Sequence, residues 1–220
     1  QGGDRGLVRV FLGRVRAWQE FMRAGGQALT GEAEVGLVGE LLMLAEIVNA
    51  GVPAPQAVES WKGPLDGLQD FELGAGAVEV KTTASASGFV ARIGSLEQLD
   101  DGVRQPLFVA GVRLRNGVTG QTLAEIADAV RGQVSMDSAA DRLFTERLLK
   151  AGFHECHRNA YLRRFTLECV RIHEVTESFP RLTHGRVPSG VLRASYDIDL
   201  NAVPAVSCTI VEVLRRLGVL

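Results

Sequence analysis

The chain has 220 residues, 46% of them apolar, with 24 Lys and Arg against 26 Asp and Glu for a formal net charge of −2. That length and apolar fraction suit one domain with a sizeable core rather than a disordered chain, and a near-neutral balance excludes a protein that coats nucleic acid by charge alone. No apolar run reaches the ~18 residues of a membrane span, no basic-then-apolar leader opens the chain, and three cysteines without CxxC spacing point to a reducing, cytoplasmic setting.

In chain order, residues 1–6 are glycine-rich. Over 7–24, Val8, Phe11, Leu12, Val15, Trp18, Phe21 and Met22 recur at three and four, which predicts a helix. A second helix is expected over 31–50, with Thr30 as N-cap, Glu32 and Glu34 in the first turn and Gly51 as the stop. Its stripe is Val35, Leu37, Val38, Leu41, Leu44 and Val48. Glu40 shares the face of Leu37 and Leu44, and a glutamate there needs a partner or a metal.

Pro53 and Pro55 break the helical pattern, so 52–69 reads as a loop with one short strand near Val58. A hairpin follows over 70–83, then a small polar connection over 84–88. Strands are expected over 89–93 and 107–114, with a turn at Asn116-Gly117. Between them, Ser95 opens a short helical turn holding Glu97 and Gln98. Helices are expected over 123–130 and 139–151, the second capped by Asp137 or Ser138 and stopped by Gly152. Strands over 161–173 and 190–200 and a closing helix over 203–217, with Pro204 in its first turn, complete the chain.

The stretch Gln69-Asp70-Phe71-Glu72-Leu73-Gly74-Ala75-Gly76-Ala77-Val78-Glu79-Val80-Lys81-Thr82-Thr83 carries the chemistry. Gly74 and Gly76 permit the positive φ of a tight turn, and Val78 and Val80 favour a strand. Alternation puts Ala77, Glu79 and Lys81 on one face and Val78, Val80 and Thr82 on the other. Asp70, across the turn, brings a second carboxylate. Two carboxylates roughly 5 Å apart repel by about 3 kcal/mol at an effective dielectric of about 20. A hard divalent cation such as Mg²⁺ would offset that repulsion, and the lysine beside it could orient or deprotonate a water. Such a site suits phosphodiester hydrolysis.

Asp70, followed nine residues later by Glu79-Val80-Lys81, resembles the D…(D/E)xK signature of the PD-(D/E)XK nuclease superfamily. The likeness extends through Gly36-Leu37-Val38-Gly39-Glu40-Leu41-Leu42, Trp61-Lys62-Gly63-Pro64, Asp70-Phe71, Glu79-Val80-Lys81-Thr82-Thr83 and Ser95-Leu96-Glu97-Gln98-Leu99. In that order these segments resemble a bacterial family of PD-(D/E)XK motif proteins encoded near phage-defence genes. The resemblance runs from Trp18 to Asn201. Members of that family are longer at the N-terminus, which implies a truncated or processed chain.

The resemblance implies an α/β fold of restriction-endonuclease-like type, a central mixed β-sheet flanked by helices. It implies one domain over 1–220, with a catalytic core over 30–115 and a helical and strand elaboration over 120–220. It further implies Mg²⁺-dependent endonucleolytic hydrolysis of DNA, with Mn²⁺ able to substitute, in defence against phage or foreign DNA. Asp70 and Glu79 would hold the metal, the Val80 carbonyl would add an oxygen, and Glu40 would support the ion directly or through water. Lys81 would position the nucleophile and stabilise charge on the phosphate. Gln98 matches a glutamine that contacts substrate or steadies the lysine. The implied partners are DNA, other defence-system proteins and a second copy of the chain, because cutting both strands calls for two active sites; no membrane is implied.

Each of these residues has a plainer reading. A bare ExK is common on strand edges, and only the upstream Asp, the hairpin and the flanking segments make it specific. Gln69 rather than proline precedes Asp70, so Pro64-Leu65-Asp66 is a rival placement; Asp70 is preferred because Phe71 and Leu73 continue a strand from it. Glu40 could be a core-edge glutamate bonded to a backbone amide or an arginine, Gln98 a surface residue, Glu72 an exposed strand residue and Trp61 a loop cover rather than a base-stacking platform. His154-Glu155-Cys156-His157 lacks the second ligand pair of a zinc site beyond Cys169 and His173, so no zinc is expected. Arg142, Arg147, Lys150, Arg158, Arg163, Arg164 and Arg171 stand against four acids over 141–171, and read as a solvated helix and strand before they read as a phosphate surface. The rival functions are a catalytically silent interaction subunit of a defence complex, against which the intact Asp70, Glu79 and Lys81 speak, and an RNA-directed nuclease.

Overall fold

Helix α1, Gly31–Asn49, begins where a side chain can satisfy its open amides: Thr30 accepts from the Ala33 N–H at 3.3 Å, and Glu32 and Glu34 complement the positive helix end. Gly51, at φ 102°, lets the chain leave the last turn. In this computed structural model residues 27–205 and 209–220 are described, with Val15 alone before them. The helix expected over 7–24 therefore lies, but for Val15, outside the described residues. Leu37, Val38, Leu41, Leu44 and Ile47 of α1 are buried, each contributing about 1.5–3 kcal/mol.

A second helix, α2 (Ala54–Ser60), stands where a loop and a strand near Val58 were expected. Prolines interrupt a helix only where their missing N–H is needed. Pro53 is the cap and Pro55 lies in the first turn, where no such bond exists. Val58 is fully buried on this helix.

The sheet contains β1 (Phe71–Leu73), β2 (Gly76–Thr83), β4 (Leu107–Gly117) and β5 (Arg164–Glu174), hydrogen-bonded in the order β1-β2-β4-β5. β1 runs antiparallel to β2, with Phe71 opposite Val78. β2 and β4 are parallel, placing Glu79 opposite Val109 and Lys81 opposite Gly111. β4 and β5 are antiparallel. The sheet is thus mixed, as expected. A separate antiparallel pair, β3 (Val90–Ile93) and β6 (Tyr196–Asp199), forms a two-stranded sheet.

Alternation along β2 sorts its two faces. Val78 and Val80 join Phe108, Ala110 and Val112 in a core with α1, α3 (Leu123–Val134), α4 (Ser138–Lys150) and α5 (Ile210–Arg216). Ala77 joins Leu107 and Val109 against Phe89 and against Ala91, Ile93 and Ile198 of the β3–β6 pair. Helices cover one side and the small sheet the other. Gly39 sets the approach of α1 to β2, since a Cβ there would overlap the Thr82 side chain.

Several element ends differ from expectation for local reasons. β4 runs through Asn116 and Gly117 because β5 offers Phe165 and Arg164 as partners, and the turn falls later, at Gly120 with φ 102°. Residues 95–99 form bends and a turn rather than a helical turn. The strand expected over 190–200 narrows to β6, since β3 pairs with only those four residues. The closing helix starts at Ile210 rather than 203, where Thr209 and Glu212 make a capping box. For α4 the cap is Asp137, whose carboxylate accepts from the Ala139 and Ala140 amides.

Candidate active site

β1 pairs with β2 only as far as Val78, so the same edge of β2 is open from Glu79 onward. Asp70, one residue before β1, fills the opening: its Oδ2 accepts from the Val80 N–H at 2.7 Å. The Asp70 carbonyl in turn accepts from the Lys62 and Gly63 amides at 2.7 and 3.1 Å. That pair of bonds fixes Asp70 against the turn between α2 and β1. From the helix side, Glu40 reaches the same region, and its Oε2 accepts from the Trp61 indole N–H at 2.7 Å.

Gly63 lies between the two acids. A Cβ built on it would stand 2.7 Å from Glu40 Oε2 and 2.8 Å from Asp70 Oδ1. Both carboxylates thus face one notch that glycine leaves open.

Glu79 is 1% exposed. Its Oε1 takes the Lys81 ammonium at 2.8 Å and the Gln98 amide at 2.6 Å, while Oε2 is buried with no hydrogen-bond partner among the described residues. Gln98 is therefore a brace: its own Oε1 accepts from the Gly94 N–H at 2.9 Å, and its carbonyl accepts from Gln69 Nε2 at 3.2 Å. Gln69, where the family signature has proline, is buried and ties the residue before Asp70 to the 95–99 turn.

Electrostatics shows what this assembly lacks. Burial pushes the Glu79 carboxyl up to about 8; Asp70 adds to the rise and Lys81 opposes it. Burial and then Asp70 also push Glu40 up to about 8, against the Trp61 hydrogen bond and Lys81. Asp70 rises to about 6, mainly through burial, opposed by the Val80 N–H and Lys81. Ionised together, the three acids carry −3 against the single charge of Lys81. A divalent cation would close that difference.

The donor set fits such an ion. Carboxylate oxygens are the ligands a hard cation takes, the orphaned Glu79 Oε2 has no other partner, and the notch at Gly63 offers space beside two more. As the side chains stand, no three His, Cys, Asp or Glu among the described residues close around a common point tightly enough to hold a metal. Lys81 and Gln98 occupy one oxygen of Glu79, the Trp61 indole occupies one oxygen of Glu40, and the Val80 amide occupies one oxygen of Asp70.

Other residues sort as follows. Asp66 is exposed at a left-handed corner, φ 57°, while Asp70 contacts the Glu79-Val80-Lys81 strand. Glu72 is half-buried and pairs with Arg104 at 2.8 Å. The basic segment is largely consumed internally: Arg158 pairs with Asp128, Arg163 with Glu34 and Arg164 with Glu125, and Arg147 is buried. Trp61 is fully buried, 6.1 Å from the Phe144 ring. Trp61, Gly63 and Gln69 are the site residues that reading the sequence missed. The Trp61-Lys62-Gly63-Pro64 segment was a visible signal, but its partners are distant in sequence.

A mixed sheet flanked by helices, with an aspartate at the edge of a strand bearing Glu-x-Lys, defines a nuclease-like α/β fold of the restriction-endonuclease class. The chain belongs to the family described as "Putative PD-(D/E)XK family member, (DUF4420)", whose model matches residues 2–201. No curated protein and no solved structure matches the chain. No helix among the described residues is long and apolar enough to cross a membrane.

Proposed function

We propose that this protein is a metal-dependent endonuclease that hydrolyses DNA phosphodiester bonds. The observation that carries the reading is the meeting of Asp70, Glu79 and Lys81 at one edge of β2, with Glu79 Oε2 buried and unpartnered. Asp70, Glu79 and Glu40 would hold Mg²⁺, or Mn²⁺ in its place. Within a strand the N–H and C=O of one residue point to the same side, so the Val80 carbonyl faces the edge that Asp70 occupies and is a further oxygen for the ion. Bound there, the cation would activate a water and offset charge building on the phosphate.

The chain's own groups do the rest. Lys81, with its ammonium against Glu79, lies where it can orient the attacking water and stabilise negative charge on the phosphate. Gln98 keeps Glu79 from rotating away and ties it to the Gly94 backbone. Glu40 supports the ion directly or through water. A role in defence against phage or foreign DNA, together with partners from a defence system, is supported by the family resemblance alone, and a cytoplasmic setting by three cysteines without CxxC spacing. A homodimer would supply one site per DNA strand.

The test is incubation of purified protein with plasmid DNA and with RNA, in Mg²⁺, Mn²⁺ or EDTA, beside Lys81→Ala and Asp70→Asn. DNA cleavage that needs the metal and fails in both variants is expected. Cleavage of RNA alone would move the substrate assignment. Silence under every condition would favour an interaction subunit, and cleavage surviving in EDTA would refute the mechanism.

A further inference from the structure

The Trp61-Lys62-Gly63 turn touches two of the three acids, and no role has been assigned to its side chains. Three features of it coincide. The Trp61 indole is fully buried, yet its only polar atom donates to Glu40 Oε2 at 2.7 Å. The Lys62 and Gly63 amides both grip the Asp70 carbonyl. Gly63 then presents no side chain to the space bounded by Glu40 Oε2 and Asp70 Oδ1.

A buried indole needs a hydrogen-bond acceptor, and Glu40 supplies one. In return the N–H fixes one oxygen of a carboxylate that would otherwise choose among rotamers. Outer partners of this kind orient ligands and tune their hold on an ion. Gly63 contributes by what it lacks. Its backbone is not in the left-handed region, so conformation does not demand glycine there. What alanine would meet is the pair of carboxylate oxygens, each nearer than 3 Å to the new carbon. These are the far ends of side chains rather than backbone, so the fold would tolerate the change, but the notch would be filled.

We propose that Trp61 and Gly63 are positioning residues for the cation: Trp61 aims Glu40 into the notch, and Gly63 keeps the notch open so that Glu40 and Asp70 can share one ion. The inference rests on the metal-dependent reading above.

The experiment measures binding of Mn²⁺ to the protein without nucleic acid, by calorimetry and by the metal-induced rise in melting temperature. Wild type, Gly63→Ala, Trp61→Phe and Gly36→Ala are compared. Gly36→Ala is the control, since it lies on α1 with open space around it. Gly63→Ala and Trp61→Phe should each bind about 10- to 100-fold more weakly, while Gly36→Ala matches wild type. Gly63→Ala should melt near the wild-type temperature in EDTA. Because Trp61→Phe also leaves a gap beside Phe144, it is repeated in a Glu40→Gln background. There it should cost no further affinity, as coupled residues require. Equal Mn²⁺ affinity in Gly63→Ala and wild type would overturn the role of Gly63 and leave the metal site standing. Equal loss from Trp61→Phe with and without Glu40 would overturn the role of Trp61. Wild type that binds no Mn²⁺ would remove the site and the proposal together.

Discussion

Three carboxyls crowded together, Glu79 buried and Glu40 and Asp70 half-buried, should make the metal-free protein less stable as pH rises. The clearest case is Glu79, which ordinarily titrates near 4.5 and is pushed up to about 8 in the fold. Between those values the folded protein holds a proton that the unfolded chain has released. Raising pH therefore favours unfolding: this group's contribution is whole below 4.5 and is lost as pH climbs through 8. Between pH 5 and 8 the linkage amounts to about 3 kcal/mol, or roughly 6–12 °C in melting temperature for a chain of this size. Glu40 and Asp70 act in the same direction, but the three are coupled and their effects do not add. His173 opposes them at the acid end, because burial lowers its pKa and stability falls as it is forced to charge. The assay therefore compares melting in EDTA for wild type and Glu79→Gln, in which His173 is common to both. Glu79→Gln should match wild type near pH 5 and exceed it at pH 8. Mg²⁺ should restore wild type at pH 8 and do little for the variant. A difference between the two proteins that stays flat from pH 5 to 8, or runs the other way, would refute the reasoning.

Further outcomes follow from individual contacts. Gln98→Ala removes the amide that holds Glu79 Oε1 and should lower cleavage about 10- to 100-fold with the fold retained, checked by kinetics and circular dichroism. Gly39→Ala forces a Cβ into the Thr82 side chain between α1 and β2 and should destabilise by about 1–3 kcal/mol in urea titration. Asp66→Asn should leave cleavage within about twofold of wild type, because exposed substitutions away from a site are usually near neutral, while Asp70→Asn abolishes it.

Much of this arrangement is legible in the sequence, for reasons that can be stated. Thr30, the α1 stripe and Gly51 are local signals, and α1 forms as they require. The alternation from Ala77 to Thr82 placed Glu79 opposite Val80, and the two buried clusters divide along that line. Asp70 was placed beside Glu79 by a short turn, where little chain entropy intervenes. What stayed hidden depends on distance or on context. Pro53 and Pro55 read as breakers, although at a helix start they cost nothing. Trp61 and Glu40 are 21 residues apart and Gln98 and Glu79 are 19 apart, so no local pattern links them. The arginines over 158–164 looked free because Asp128, Glu34 and Glu125 lie on other elements. The notch at Gly63 is invisible in sequence because it exists only once the α2–β1 turn packs against α1.

The most direct measurement is the anomalous signal from a crystal of the wild-type protein soaked in Mn²⁺. The account predicts one peak bound by carboxylate oxygens of Asp70 and Glu79, with Glu40 in the same site and the Gly63 notch occupied. A soaked crystal with no peak there, or with Mn²⁺ held by acids elsewhere, would contradict it.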